Sequence, residues 1–137
     1  MEEHFELSDR EFEERLANCT IDPILFSHEA HLRLAWIHIR NYGIEKAIEN
    51  ICGQIQKFAC FHGSKDKYNA TVTVAAVRAV YHFMLKSHAN TFQELVLEFP
   101  RLKNKFKDLL ECHYSINIFL SEEAKNEYVE PDLQPFD

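Results

Sequence analysis

Several things are missing from this chain, and each absence excludes something. No apolar run is long enough to cross a bilayer: the longest, Ala70 to Leu85, falls short of the roughly 20 residues a helical span needs and contains Arg78 and His82. A membrane-spanning helix is therefore not expected. Basic residues are outnumbered, 15 Lys and Arg against 22 Asp and Glu, and the formal net charge is -7. The excess acids crowd residues 2 to 14 and 122 to 137, which argues against nucleic acid as a partner. One local basic run, "RLKNKFK" from Arg101 to Lys107, carries Leu102 and Phe106 at the spacing of an amphipathic helix with a solvated side. Cys19, Cys52, Cys60 and Cys112 show no C-x-x-C spacing, so neither a structural zinc site nor a redox pair is indicated. They read as reduced, mostly buried thiols. The opening "MEEHFELSDREFEER" lacks the apolar core of a secretory signal and is too acidic for a transit peptide, which leads us to expect a cytoplasmic protein. Internal repeats and low-complexity segments are absent.

What remains is 137 residues, 46% of them hydrophobic, enough for one globular domain that buries about two-thirds of its unfolded surface. Ser8 followed by Glu11 has the form of a capping box, predicting a helix from Asp9 to about Asn18 with Phe12 and Leu16 inward, broken by "TIDP". Ser27 can cap a second helix and Gly43 can end it. Beyond Ile44, the positions Ala47, Ile48, Ile51, Cys52, Ile55, Phe58 and Ala59 trace one helical face, which Gly63 stops. The segment "NATVTVAAVRAVYHFMLKSHA" is rich in β-branched residues, yet it is too long for a strand and has no partner strands elsewhere. We read it as a helix whose apolar circumference makes it the buried centre. Thr91 with Glu94 has the form of a second capping box, Pro100 interrupts, and a further helix is expected from about Leu102 to Cys112. "EEAKNEY" adds a last turn or two before the extended acidic tail "VEPDLQPFD". The expected fold is an all-α, single-domain helical bundle over residues 1 to 137, with an acidic N-terminal segment.

The second helix raises the functional question. At about 100° per residue, His28, His31, Ala35, His38 and Tyr42 form one stripe, while Glu29, Arg33 and Arg40 project from another side that reads as the solvent face. Imidazoles turned toward protein need polar partners. His28 and His31 lie in the first turn, where the helix dipole disfavours imidazolium and so favours the form that binds metal or acts as a base. The pair alone is an incomplete metal site, with His38, His82, Tyr68, a tail carboxylate or water as further ligands. The competing reading makes all three satisfied core histidines.

On the buried helix, Thr71, Ala75, Arg78 and His82 share a stripe. A guanidinium in such a place needs an anion or carbonyls, so Arg78 is expected to be mostly buried beside a ligand's charge or a structural partner such as Glu111. Tyr68, Asn69, Thr71 and Thr73 stand where the loop "HGSKDKYN" enters this helix and can receive an anion, with capping as the other explanation for Asn69 and Thr71.

Taken together, "FSHEAHLRLAW", "HGSKDKYNATVT" and "SEEAKNEYVEPDLQPF" resemble the motifs of an uncharacterised family of small, all-helical bacterial proteins. Phe26, His28, His31 and Trp36, then Lys67, Tyr68, Thr71 and Thr73, then Val129 to Leu133 carry the resemblance over nearly the whole chain. Where that family often has a histidine after the tyrosine, this chain has Asn69, which removes an imidazole from the loop. The resemblance implies a site joining His28 and His31 to Tyr68, Thr71 and Thr73. The expected function is binding, and conversion if the protein is an enzyme, of a small anionic molecule in a polar pocket between helices. In the enzyme version His28 and His31 hold a divalent metal or serve as acid and base, Tyr68 orients the substrate, and Arg78 neutralises its charge with Thr71, Thr73 and His82 alongside. The alternative is a non-catalytic protein-interaction or regulatory module. A homo-oligomer is compatible with either.

Overall fold

The computed structural model describes residues 2–136. Among these residues all regular structure is helical, eight α-helices and three short 3-10 turns without a strand, so the all-α expectation holds. Among the described residues no helix is long and apolar enough to cross a membrane. The chain divides between Tyr68 and Asn69 into two compact units.

The first unit contains α1 (Asp9–Ala17), α2 (His28–Tyr42) and α3 (Ile44–Phe61), with 3-10 turns at Glu3–Glu6, Pro23–Leu25 and Lys65–Lys67. Both halves of the first capping box form: Ser8 Oγ accepts the Glu11 N–H, and the Glu11 carboxylate accepts the Ser8 N–H, each at 3.1 Å. Two donors that the helix cannot satisfy internally are thereby paired, and Phe12 and Leu16 are held fully buried. Ser27 Oγ accepts the Ala30 N–H to open α2. Gly43 alone separates α2 from α3. Its N–H closes α2 on the Ile39 carbonyl and its own carbonyl receives the Ala47 N–H, both at 2.9 Å, at φ 83 and ψ 166, a conformation open essentially only to glycine. The two helices pack as a hairpin, with Ala47, Ile51 and Phe58 on the buried face of α3. At its end, Gly63 at φ 71 and Ser64 donate back to the Cys60 and Ala59 carbonyls, so α3 stops where the sequence predicts.

The predicted solvent face of α2 is corrected. Glu29 and Arg33 are buried, at 6% and 4% exposure, whereas His28 on the supposed inner stripe is exposed. Burial of the two charges depends on a segment whose sequence reads only as acidic: the turn Glu3–Glu6 places His4, fully buried, beside Glu29. Arg33 then donates to the His4 and Leu7 carbonyls at 2.6 and 2.8 Å and to the Asp9 carboxylate at 2.9 Å. Its guanidinium also lies 4.9 Å from the centre of the Phe12 ring. Each charge is taken out of water only because partners replace the hydration.

The second unit contains α4 (Ala70–Met84), α5 (Phe92–Glu98), α6 (Arg101–Asn104), α7 (Phe106–Glu111) and α8 (Glu122–Asn126). The valine- and threonine-rich segment is helical, and no residue of α4 is exposed. Asn69 caps it by accepting the Val72 N–H at 2.9 Å. The second capping box forms only in part: Thr91 accepts the Glu94 N–H, but the Glu94 carboxylate reaches one residue further back, to the Asn90 N–H. The helix expected from Leu102 to Cys112 is broken at Lys105, at φ -133 and ψ 34, which leaves α6 and α7 as separate short helices. The tail is extended but fastened. Thr71 Oγ donates to the Glu127 carbonyl and accepts the Val129 N–H, both at 3.0 Å, the Tyr114 hydroxyl donates to the Val129 carbonyl, and the Leu133 N–H to the His113 carbonyl. All four cysteines are free thiols, but two of them, Cys60 and Cys112, are exposed rather than buried.

Candidate functional site

Phe26, His31, Lys67 and Tyr68 come together in the first unit. The turn Pro23–Leu25 leads into α2, and the turn Lys65–Lys67 follows the end of α3. Residues from these four elements and their flanks line a cavity of about 310 Å³: Pro23, Phe26, His31, Ile55, Phe58, Ala59, His62, Ser64, Lys67 and Tyr68. Phe26 stacks on the His31 ring with centroids 3.7 Å apart and meets Phe58 edge-on at 5.3 Å, which gives the cavity an aromatic wall.

His31 is the most sharply defined polar group. Its Nδ1–H donates to the Ser27 carbonyl at 2.8 Å, one turn back in its own helix, so the proton is fixed on Nδ1 and the lone pair on Nε2. Burial, offset in part by that carbonyl, and the neighbouring charge of His28 bring its pKa down to about 4. The ring is neutral at pH 7, and Nε2 has no partner among the described residues. His62 is held by its Nε2–H, which donates to the Cys19 carbonyl at 3.3 Å. Tyr68 is hydrogen-bonded to Cys52, whose thiol pKa burial pushes up and this bond pulls back. Lys67 brings the only permanent charge to the lining; it is exposed and forms no ion pair among the described residues.

The other predicted site residues fall elsewhere. His28 is exposed and outside the cavity lining, acting on His31 through its charge. His38 is buried, 3.5 Å from Asn50 Nδ2 at Nδ1 and without a partner at Nε2, and burial lowers its pKa. Thr71 and Thr73 belong to the second unit, where their hydroxyls serve the backbone, Thr71 fastening the tail and Thr73 donating to the Asn69 carbonyl at 2.7 Å. Arg78 is half-buried, not mostly buried, and among the described residues no hydrogen bond or ion pair reaches it; its charge is felt by Tyr114, whose pKa burial and Tyr128 raise. An arginine side chain can leave its head at the protein surface, which is why the partner demanded by full burial is not needed. His82 lines a different cavity, within the second unit. Lys67 carries the resemblance, and His62 flanks the same loop, but without a cavity neither had an evident role.

The expected metal trio of His28, His31 and His38 is not assembled. The one group of metal-type donors among the described residues is Glu2, His4 and Glu29, whose ligand atoms lie within 4.8 Å of one another. Its geometry does not suit a metal. Arg33 Nη1 stands 3.3 Å from His4 Nδ1, and since a guanidinium can only donate, Nδ1 must be the acceptor and Nε2 must carry the proton given to Glu29 Oε1 at 2.9 Å. A metal at Nε2 would move that proton to Nδ1, against the arginine, whereas metal-bound histidines direct the other N–H at an acceptor. Burial lowers the His4 pKa, opposed by the hydrogen bond to Glu29 and assisted by the Arg33 charge.

No family model, curated protein or solved structure matches this chain.

Proposed function

We propose that the first unit binds a small anionic molecule in the cavity beneath Phe26, its anionic group drawn to Lys67 and a hydroxyl or N–H donated to His31 Nε2. One observation carries this reading: a neutral imidazole with an uncommitted lone pair and a lysine without a carboxylate line the same aromatic-walled space. The motif resemblance supports it, since His31, Lys67 and Tyr68 all belong to that pattern. Binding is favoured over conversion, because an imidazole whose conjugate acid has a pKa of about 4 holds a proton too weakly to serve as a general base at neutral pH. Arg78 has no part in this version, and no metal is required.

A thermal-shift screen of hydroxylated carboxylates and phosphate esters tests the proposal. Ligands that raise the melting temperature of the wild-type protein should lose about tenfold or more in affinity with Lys67→Gln or His31→Phe. Stabilisation that survives both substitutions would remove the cavity from consideration. A second reading, a docking surface for another protein, draws on Ile24 at 86% exposure and Phe61 at 69%, the chain neighbours of the lining residues Pro23 and His62. That reading gains if no anion stabilises the protein while Ile24→Ser abolishes a specific protein association.

A further inference from the structure

The second unit holds a cavity of its own, of about 300 Å³, between the end of α4, the α6–α7 segment and the last residues of the tail. Its charge is unexpected for so acidic a chain. Lys86, Arg101, His82 and His113 all line it, and no acidic residue among those described does. Lys86 and Arg101 are exposed, and neither forms an ion pair among the described residues. Two cations facing one space without a carboxylate leave a positive potential that an anion relieves, and the low-dielectric walls concentrate it.

Two phenyl rings stand among those walls, Phe83 and Phe136. The Arg101 guanidinium sits 5.6 Å from the centre of the buried Phe83 ring. On the tail, Phe136 stacks on His113 with centroids 4.1 Å apart and an interplanar angle of 22°. His113 is fixed there by its Nδ1–H, which donates to the Gln134 carbonyl at 2.7 Å. Fastening of the tail thus builds the cavity as well as closing the fold.

We infer that this second cavity binds an aromatic oxyanion, with its carboxylate or phosphate against Lys86 and Arg101 and its flat body against Phe83 and Phe136. The site is independent of the one proposed for the first unit, and it gives Arg101 a role different from that of a solvated helix face. An aryl carboxylate and an aryl phosphate share this chemistry, so both are used as probes.

Titration of the ¹⁵N-labelled full chain with phenyl phosphate, benzoate and inorganic phosphate, read from amide shifts, provides the test. Phenyl phosphate or benzoate should shift the amides of His82, Lys86 and His113 saturably, more tightly than inorganic phosphate and more weakly as salt rises. The double substitution Lys86→Gln with Arg101→Gln should weaken that binding by about tenfold or more. Both side chains are exposed, so the variant is expected to fold, and an unchanged spectrum without ligand verifies that it does. Lys67→Gln in the first unit should leave these shifts alone. Absence of saturable shifts with any aryl anion, equal affinity for inorganic phosphate, or binding undiminished in the double variant would each overturn the inference.

Discussion

Helices α2 and α4 are each fifteen residues long and both are capped by the side chain of the preceding residue, yet they bury different chemistry. In α4 the fully buried positions are apolar apart from Thr71. In α2 they include Glu29, Arg33 and His38, so that part of the interior is ionic. The apolar helix needs only shape and volume from its surroundings, whereas the ionic one needs particular partners at particular atoms, and for Glu29 and Arg33 these are supplied by residues 4 to 9. A short, acidic N-terminal segment is therefore part of the core of the first unit. The lesson is that a helix with charged residues on two sides need not have two wet sides; one of them can be sealed by a distant stretch of chain.

The largest difference between the two helices should show when an arginine is removed from each. Arg33→Ala leaves the His4 and Leu7 carbonyls and the Asp9 carboxylate without their donor, and should cost about 3–5 kcal/mol in urea unfolding. Arg78→Leu, at a half-buried site without a hydrogen-bonded partner, should cost less than about 1 kcal/mol. Similar losses from the two would mean that the ionic interior of α2 is no special case.

A smaller effect should appear on acidification. The folded protein holds the His31 pKa near 4, below its usual 6.5, so the unfolded chain binds that proton more tightly. The resulting stability is complete above about pH 6.5 and is lost as the pH falls toward 4, on the order of 2 kcal/mol after allowance for solvent screening. His4 and His38, whose pKa values are also lowered chiefly by burial, act in the same direction. Urea midpoints recorded from pH 7.5 to 4.5 should decline more gently in His31→Gln than in the wild type; parallel declines would show that His31 is not the group responsible.

The smallest of the three concerns the one polar residue that α4 buries completely. Thr71→Val keeps the shape but loses a donor and an acceptor at once, and should cost about 1–2 kcal/mol while raising amide exchange at Val129. Thr71→Ser retains the oxygen and should recover most of both. Unchanged exchange at Val129 in the valine variant would mean that the tail is held by its other bonds alone.

How much of this could be read in advance follows from the range of the forces involved. The cap residues Ser8, Ser27 and Asn69, the stop at Gly63 and the periodic face of α3 are local, with cause and effect separated by a few residues, and they were legible. The helical state of α4 was legible from its length in spite of its valines. The burial of Glu29 and Arg33 was not, because each charge reads as surface until its partners some 25 residues away are known to be there. The break at Lys105 has no glycine or proline to announce it. For the site, the motifs brought His31, Lys67 and Tyr68 to attention, and the cavity they line follows from α3 ending where it does. Helical periodicity alone favoured His28 and His38, since a stripe on a wheel fixes direction around the axis but not what lies opposite.

The single-residue joint at Gly43 also bears on which length changes this chain tolerates. With no slack between the end of α2 and the start of α3, adding or deleting one residue there would turn α3 by about 100° about its axis and carry Ala47, Ile51 and Phe58 off the buried face. Length variation among natural versions of the first unit should therefore collect in the turns around residues 18 to 27 and 62 to 67, and the junction between α2 and α3 should keep its count.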